Sequence, residues 1–185
     1  MKKSFDYFKT LKILTENLNN AFRLSVENKD FDKLYLTFSA NKTELIDNLK
    51  NDFITPIERG DIFILSDIFS REMNQINILN DYSAFSWTEA EWIKDTLQNL
   101  LITQSNVFEK ISVEKLNANV INKCNDGYLQ SQRLSKEIYK LIKNTVVGYC
   151  ENPLLKYTIY VAFLDFGKQI SCAFSETERI ILNNS

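Results

Sequence analysis

From residue 4 to residue 26 the apolar side chains fall at Phe5, Phe8, Leu11, Leu14, Leu18 and Phe22. Steps of three and four place them on one face of a helix with 3.6 residues per turn. Asn28-Lys29-Asp30 breaks that pattern, and Asp30 is suited to cap a second helix carrying Phe31, Leu34, Phe38, Leu45, Leu49 and Phe53, with a lapse at Asn41 and Lys42. Thr55-Pro56, followed by Glu58, predicts a third helix with a capping hydroxyl, a proline at its first position and a reciprocal carboxylate. Its stripe is Ile62, Leu65, Phe69, Met73 and Ile76, ending near Asp81. Ser86 and Glu89 repeat the capping box, with Phe85 stapled to Ala90, ahead of a fourth helix that turns Ile93, Leu97, Leu100 and Leu101 inward.

From about Val113 to Tyr149 the spacing continues through Leu116, Val120, Cys124, Tyr128, Leu134, Ile138, Ile142 and Val146, a long helix with a bend expected near Gly127. Asn152-Pro153 then caps and opens a last helix to about Leu182. Residues 157–174 are apolar on nearly every side, which predicts a position at the centre of the assembly. The sum is a single all-α domain over residues 1–185, an antiparallel bundle of about six helices. Thr55-Pro56 and Asn152-Pro153 each open the last helix of a set of three, so the halves fall roughly at 1–83 and 86–185.

Composition narrows the functions such a bundle could have. Four Gly and two Pro in 185 residues are too few for a many-turned β fold, and 44% hydrophobic residues suffice for one buried core. With 22 Lys and Arg against 24 Asp and Glu, the net charge of -2 lacks the cation surplus that phosphate backbones require, so no nucleic-acid partner is expected. Histidine is absent, which removes Ser-His-Asp and Cys-His nucleophiles and every His-containing zinc site. Cys124, Cys150 and Cys172 form no C-x-x-C pair and read as reduced thiols of a cytoplasmic protein. The segment MKKSFDYFKTLKIL, interrupted by Asp6, Lys9 and Lys12, lacks the apolar stretch of a secretion signal. The apolar run Ile159 to Leu164 falls short of the ~18 residues of a membrane helix, so no direct membrane insertion is expected.

Carboxylates four apart on one helix can hold a metal inside a bundle, and Glu91 and Asp95 have that spacing. Both project away from Ile93 and Leu97, toward solvent. Glu44 with Asp47, Glu58 with Asp61 and Glu27 with Asp30 lie near helix starts, where acids complement the macrodipole. Cys172 reads as an inert core thiol, Trp87, Trp92 and Phe85 as packing at a helix start, and Arg59 and Lys168 lack the glycine-rich cradle of an anion site.

The segment from Phe53 to Leu65, Phe-Ile-Thr-Pro-Ile-Glu-Arg-Gly-Asp-Ile-Phe-Ile-Leu, resembles the F-I-T-P-x-D/E-R-x-D-I-x-x-L stretch of PhoU-like proteins, in the branch of phosphate-transport regulators. Elsewhere the resemblance is one of layout, ending in Lys156 to Tyr160 as K-x-x-I-Y. It implies a PhoU-like bundle, cytoplasmic and often homo-oligomeric, acting on or beside a membrane phosphate permease. That family can hold metal clusters on E/D-x-x-x-D motifs. Here the corresponding positions are Ser70 and Asn74, then Leu164 and Lys168, none of them a carboxylate. Amides and hydroxyls are weak ligands for such cations and an ammonium repels them, so no family-type metal and no cofactor are expected. Thr55, Arg59 and Asp61 remain as candidate functional residues, although Arg59 and Asp61 better suit fixing the start of the third helix and a loop against its neighbour. The function expected is non-enzymatic regulation through protein contacts. The alternatives are a helical metal-binding or storage protein with a different site, or a general helical adaptor.

Overall fold

The computed structural model describes residues 5–52, 55–82, 90–113, 118–148 and 152–184. Among them the chain forms six α-helices and no strand: α1 (Tyr7–Val26), α2 (Asp32–Asn51), α3 (Arg59–Asp81), α4 (Glu91–Val113), α5 (Ala118–Val147) and α6 (Pro153–Asn184). The stripes read from the sequence become the core, with Leu11, Leu14, Leu18, Leu65, Phe69, Leu97, Leu101, Ile138 and Phe166 all buried. Packing is antiparallel between chain neighbours. Tyr7 at the start of α1 meets Asp52 just after α2, Lys12 of α1 meets Glu109 of α4, and Asp61 of α3 meets Arg179 of α6. One end of the bundle therefore gathers the starts of α1, α3 and α5 with the finishes of α2, α4 and α6.

Helices α1, α2 and α3 touch one another, as do α4, α5 and α6; the two groups join where α1 lies on α4 and α3 lies on α6. Helix α2 lies chiefly on α1 and meets α3 only marginally, and it buries just Phe38, Leu45 and Leu49 along its length. Aromatic pairs cross the interior: Phe22 meets Phe166 at 5.5 Å between ring centroids, and Phe69 meets the edge of Phe108 at 5.3 Å.

The boundaries show local chemistry overruling some of the sequence signals. Asp6 caps α1 by accepting the Lys9 N–H at 3.0 Å. At the other end Asn28 adopts a left-handed φ of 54°, with Lys29 N–H bonded to the Leu24 carbonyl and Asn28 N–H to that of Ser25. Those two bonds are the Schellman closure, in which Asn takes the place usually given to Gly. Asp30 does not cap α2; it accepts the Asp32 N–H while Phe31 holds the capping position. Thr55 is no cap either. Its hydroxyl donates to the Ile57 carbonyl, tying a local turn, and α3 starts later at Arg59 behind Glu58, which makes no side-chain capping bond. The Ser86, Glu89 and Phe85 signals lie outside the described residues. The long helix expected from Val113 begins instead at Ala118, because Val113 finishes α4 with its side chain exposed.

Helix α6 is not enclosed on all sides. It packs on α3, α4 and α5, yet Tyr157, Lys168, Cys172, Ser175, Arg179 and Leu182 form a narrow exposed edge. Its partnership with α5 is the most extensive in the molecule and depends on small residues. A Cβ built on Gly127 would stand 2.5 Å from the ring of Phe174, itself buried, so the ring occupies the space a side chain would need. At the glycine read as a bend site the packing admits a phenyl ring.

Gly127→Ala tests this. Helix propensity favours alanine by about 1 kcal/mol, whereas overpacking a filled core costs about 1–3 kcal/mol. The substitution should lower stability in urea unfolding; combined with Phe174→Leu, which vacates the space, the same change should become neutral or stabilising.

Candidate functional site

The three residues singled out at the start of α3 lie at the end of the bundle where α1 and α3 begin and α2 and α6 finish. Asp61 is buried, and its Oδ1 accepts from Nη2 of Arg179 at 2.7 Å. Arg179 Nε also donates to Glu176 Oε2 at 2.8 Å, so one guanidinium bridges α3 and a carboxylate of its own helix. Nearby, the Tyr7 hydroxyl donates to Asp52 Oδ2 at 2.6 Å. Burial, then the Asp52 carboxylate, push that phenol up to about 12, with Arg59 pulling slightly the other way. Arg59 is exposed and makes no ion pair among the described residues. Of the three candidates, then, Asp61 closes a helix-to-helix tie, Thr55 closes a turn, and Arg59 faces outward.

Next to Arg59 the outer face of α3 carries Phe63 and Ile64, both exposed, and further along it Ile78. Helix α2 leaves this face largely uncovered because it rests on α1.

Of the four positions that the resemblance aligned with metal motifs, three make other contacts and one is exposed. Ser70 Oγ donates to the Ser66 carbonyl at 2.9 Å, Asn74 is exposed, Leu164 packs against the core, and Lys168 pairs with Asp165 at 3.2 Å. Among the described residues no three His, Cys, Asp or Glu side chains gather. Lys168 also lies eleven residues before Arg179 on α6, about 16 Å along the axis, so it does not share a site with Arg59. Glu91 and Asp95 both face solvent. Trp92 is exposed at the start of α4, while Trp87 and Phe85 lie outside the described residues.

Cys172 corrects the sequence expectation, since it sits on the exposed edge of α6 and Cys124 is the core thiol. Partial burial, followed by Glu176, raises the Cys172 pKa, so it stays a protonated thiol of low reactivity. Burial pushes Cys124 up to about 12.

The chemically most unusual group was missed altogether. Glu72 is completely buried at the middle of α3, where Oε2 accepts from Gln104 Nε2 of α4 at 3.0 Å. Among the described residues Glu72 Oε1 and Gln104 Oε1 have no hydrogen-bond partner. Burial raises the carboxyl to about 8, against which the Gln104 bond acts only weakly. A protonated carboxyl removes the charge that burial penalises, so the neutral acid–amide pair is the form this core accommodates. Sealed from solvent, Glu72 cannot meet a substrate. Its register was the available signal: three residues after Phe69 and four before Ile76, as Gln104 is four from both Leu100 and Phe108.

The chain matches no protein-family model and no curated protein.

The proton balance at Glu72 gives a pH prediction with a definite sign. Unfolded, the group ionises near 4.5; folded, it keeps its proton up to about 8. Between these values the folded state binds more protons, so the stability associated with this group is full below the lower value and is lost as pH rises through the upper one. Glu72→Gln keeps the shape and brings its own N–H donors. Above about pH 8 it should be more stable than the parent by about 2 kcal/mol or more, and the advantage should vanish toward acid, read from urea unfolding across pH.

A second variant tests the helix tie. Arg179→Met strands a carboxylate whose side chain is 8% exposed. With Arg179 itself half exposed, the cost should be about 2 kcal/mol, below that of a fully buried pair. Adding Asp61→Asn should restore much of the loss, a coupling visible in a double-mutant cycle.

Proposed function

We propose that this protein is a non-enzymatic helical regulator that acts through protein contacts made by the outer face of α3, with a membrane phosphate permease as its partner. One observation carries the contact surface: Phe63, 56% exposed beside Ile64 and Arg59, on a face the rest of the bundle leaves uncovered. Arginine is among the residues that most often dominate binding energy at protein interfaces, and phenylalanine is enriched in interface composition. The nearby carboxylate is unavailable for acid–base work, because Asp61 is committed to Arg179. The identity of the partner rests on the likeness of residues 53–65 to the PhoU-like segment, which contains Arg59, Phe63 and Ile64.

Deletion of the gene should alter inorganic-phosphate uptake, and the tagged protein should recover a phosphate permease from detergent extracts. Arg59→Ala with Phe63→Ala should weaken that capture by roughly thirtyfold, the effect of about 2 kcal/mol at an interface anchor. Because both side chains are exposed, the thermal midpoint should hardly change. Unchanged uptake with no permease recovered would refute the proposal.

A further inference from the structure

Helices α5 and α6, of 30 and 32 residues, are longer than the 20–23 residues of the other four. Their excess is not wholly taken up by packing. Burial along α5 ends at Thr145 and along α6 begins at Ile159, so Val146 to Gly148 and Asn152 to Thr158 have no buried member. Six residues of α6 thus precede its first buried position, about 9 Å of helix at 1.5 Å per residue. The hairpin end lies opposite the Asp61–Arg179 tie, where α4 begins and Trp92 is exposed.

This end is apolar where a free helix end in water is ordinarily polar. Val147 is 82% exposed, Leu154 78%, Val146 68% and Tyr139 62%, and Tyr157 is exposed as well. Its charge is equally distinctive. Residues 133–158 hold five cations, Arg133, Lys136, Lys140, Lys143 and Lys156, against two acids, while the chain as a whole is negative. Lys140 pairs with Glu137, whereas Lys136 and Lys143 are exposed and make no ion pair among the described residues. An apolar tip with a stripe of lysines, Lys143, Lys140 and Lys136, running back from it along one face of α5 has the distribution of a surface that rests on anionic lipid headgroups. Aliphatic side chains enter the headgroup boundary, tyrosines span it, and lysine stems let the ammonium groups reach lipid phosphates. No helix among the described residues is long and apolar enough to cross a membrane, so the contact is peripheral.

We infer that the adjoining ends of α5 and α6, within residues 136–148 and 152–158, form a docking surface for an anionic lipid bilayer. The inference stands apart from the permease contact of α3, which uses other residues. The test is co-sedimentation of the full chain with vesicles of phosphatidylcholine alone and of phosphatidylcholine containing phosphatidylglycerol, at low and raised salt. Binding is expected to the anionic vesicles, weakening with salt. Lys136→Gln with Lys143→Gln should reduce partitioning by roughly thirtyfold, about fivefold per cation, and Val147→Ser with Leu154→Ser by roughly tenfold. The thermal midpoints should be retained, since every substituted side chain is exposed. Arg59→Ala with Phe63→Ala should leave vesicle binding intact, which separates this surface from the one on α3. Absence of binding to anionic vesicles, equal binding to neutral ones, or insensitivity to both hairpin variants would overturn the inference. So would concentration-dependent dimerisation abolished by Leu154→Ser without vesicle binding, which would assign the tip to a second copy of the chain.

Discussion

The burial of α6 against α3, α4 and α5 is the constraint on which the remaining architecture depends, because its apolar stretch is too broad for one neighbour to cover. A helix with an ordinary stripe needs one groove; residues 159–181 of α6 supply buried side chains in several directions, among them Ile159, Phe163, Phe166, Ile170, Phe174 and Ile181. Covering them recruits α5 along its length and α3 on another side, and through α3 and α4 the first half of the chain is drawn in by α1. Close packing is reached where a small residue permits it, at Gly127 against Phe174. Dispersion between such surfaces is individually weak and collectively large, so the longest shared seam dominates.

Polar groups within this packing are tolerated only in satisfied or neutral form, and that requirement explains their placement. Asp61 can be buried because Arg179 reaches it from α6 with a charge-assisted hydrogen bond, while the remainder of the guanidinium stays hydrated. Among the described residues Glu72 makes no ion pair, and it is accommodated by retaining its proton beside Gln104. Ser66, Ser70, Thr145 and Thr177 return their hydroxyls to carbonyls of their own helices. Apolar groups that would ordinarily be inward nevertheless reach the surface, among other places on α3 near Arg59 and at the adjoining ends of α5 and α6.

Most helix positions were legible because a stripe of four to eight apolar residues at helical spacing leaves little alternative to an amphipathic helix. Ends were less legible, for reasons that particular residues make plain. Thr55 can accept an amide bond or donate to a carbonyl, and only the folded turn decides that it donates to Ile57. Val113 continues an apolar rhythm into α5 on paper, yet it is exposed at the end of α4, since periodicity does not register a change of helix direction. At the candidate site, Arg59 and Asp61 were found from the sequence, but the pairing with Arg179, 118 residues away, depends on a tertiary contact that no local pattern encodes. Glu72 lay in plain view within the stripe and was passed over because an acid at a core register is normally an exception. The exposure of Cys172 reflects the narrow outer edge of α6, which a nearly uniform apolar composition conceals.

Native-state hydrogen exchange measures directly whether α6 is the shared core element. If it is, amides of residues 159–181, with those of α5 facing them, exchange only through global unfolding, while α2, anchored by Phe38, Leu45 and Leu49, opens at a lower free energy. Equal protection of α2 and α6, or exchange of α6 through an opening smaller than the global one, would contradict this account of the fold.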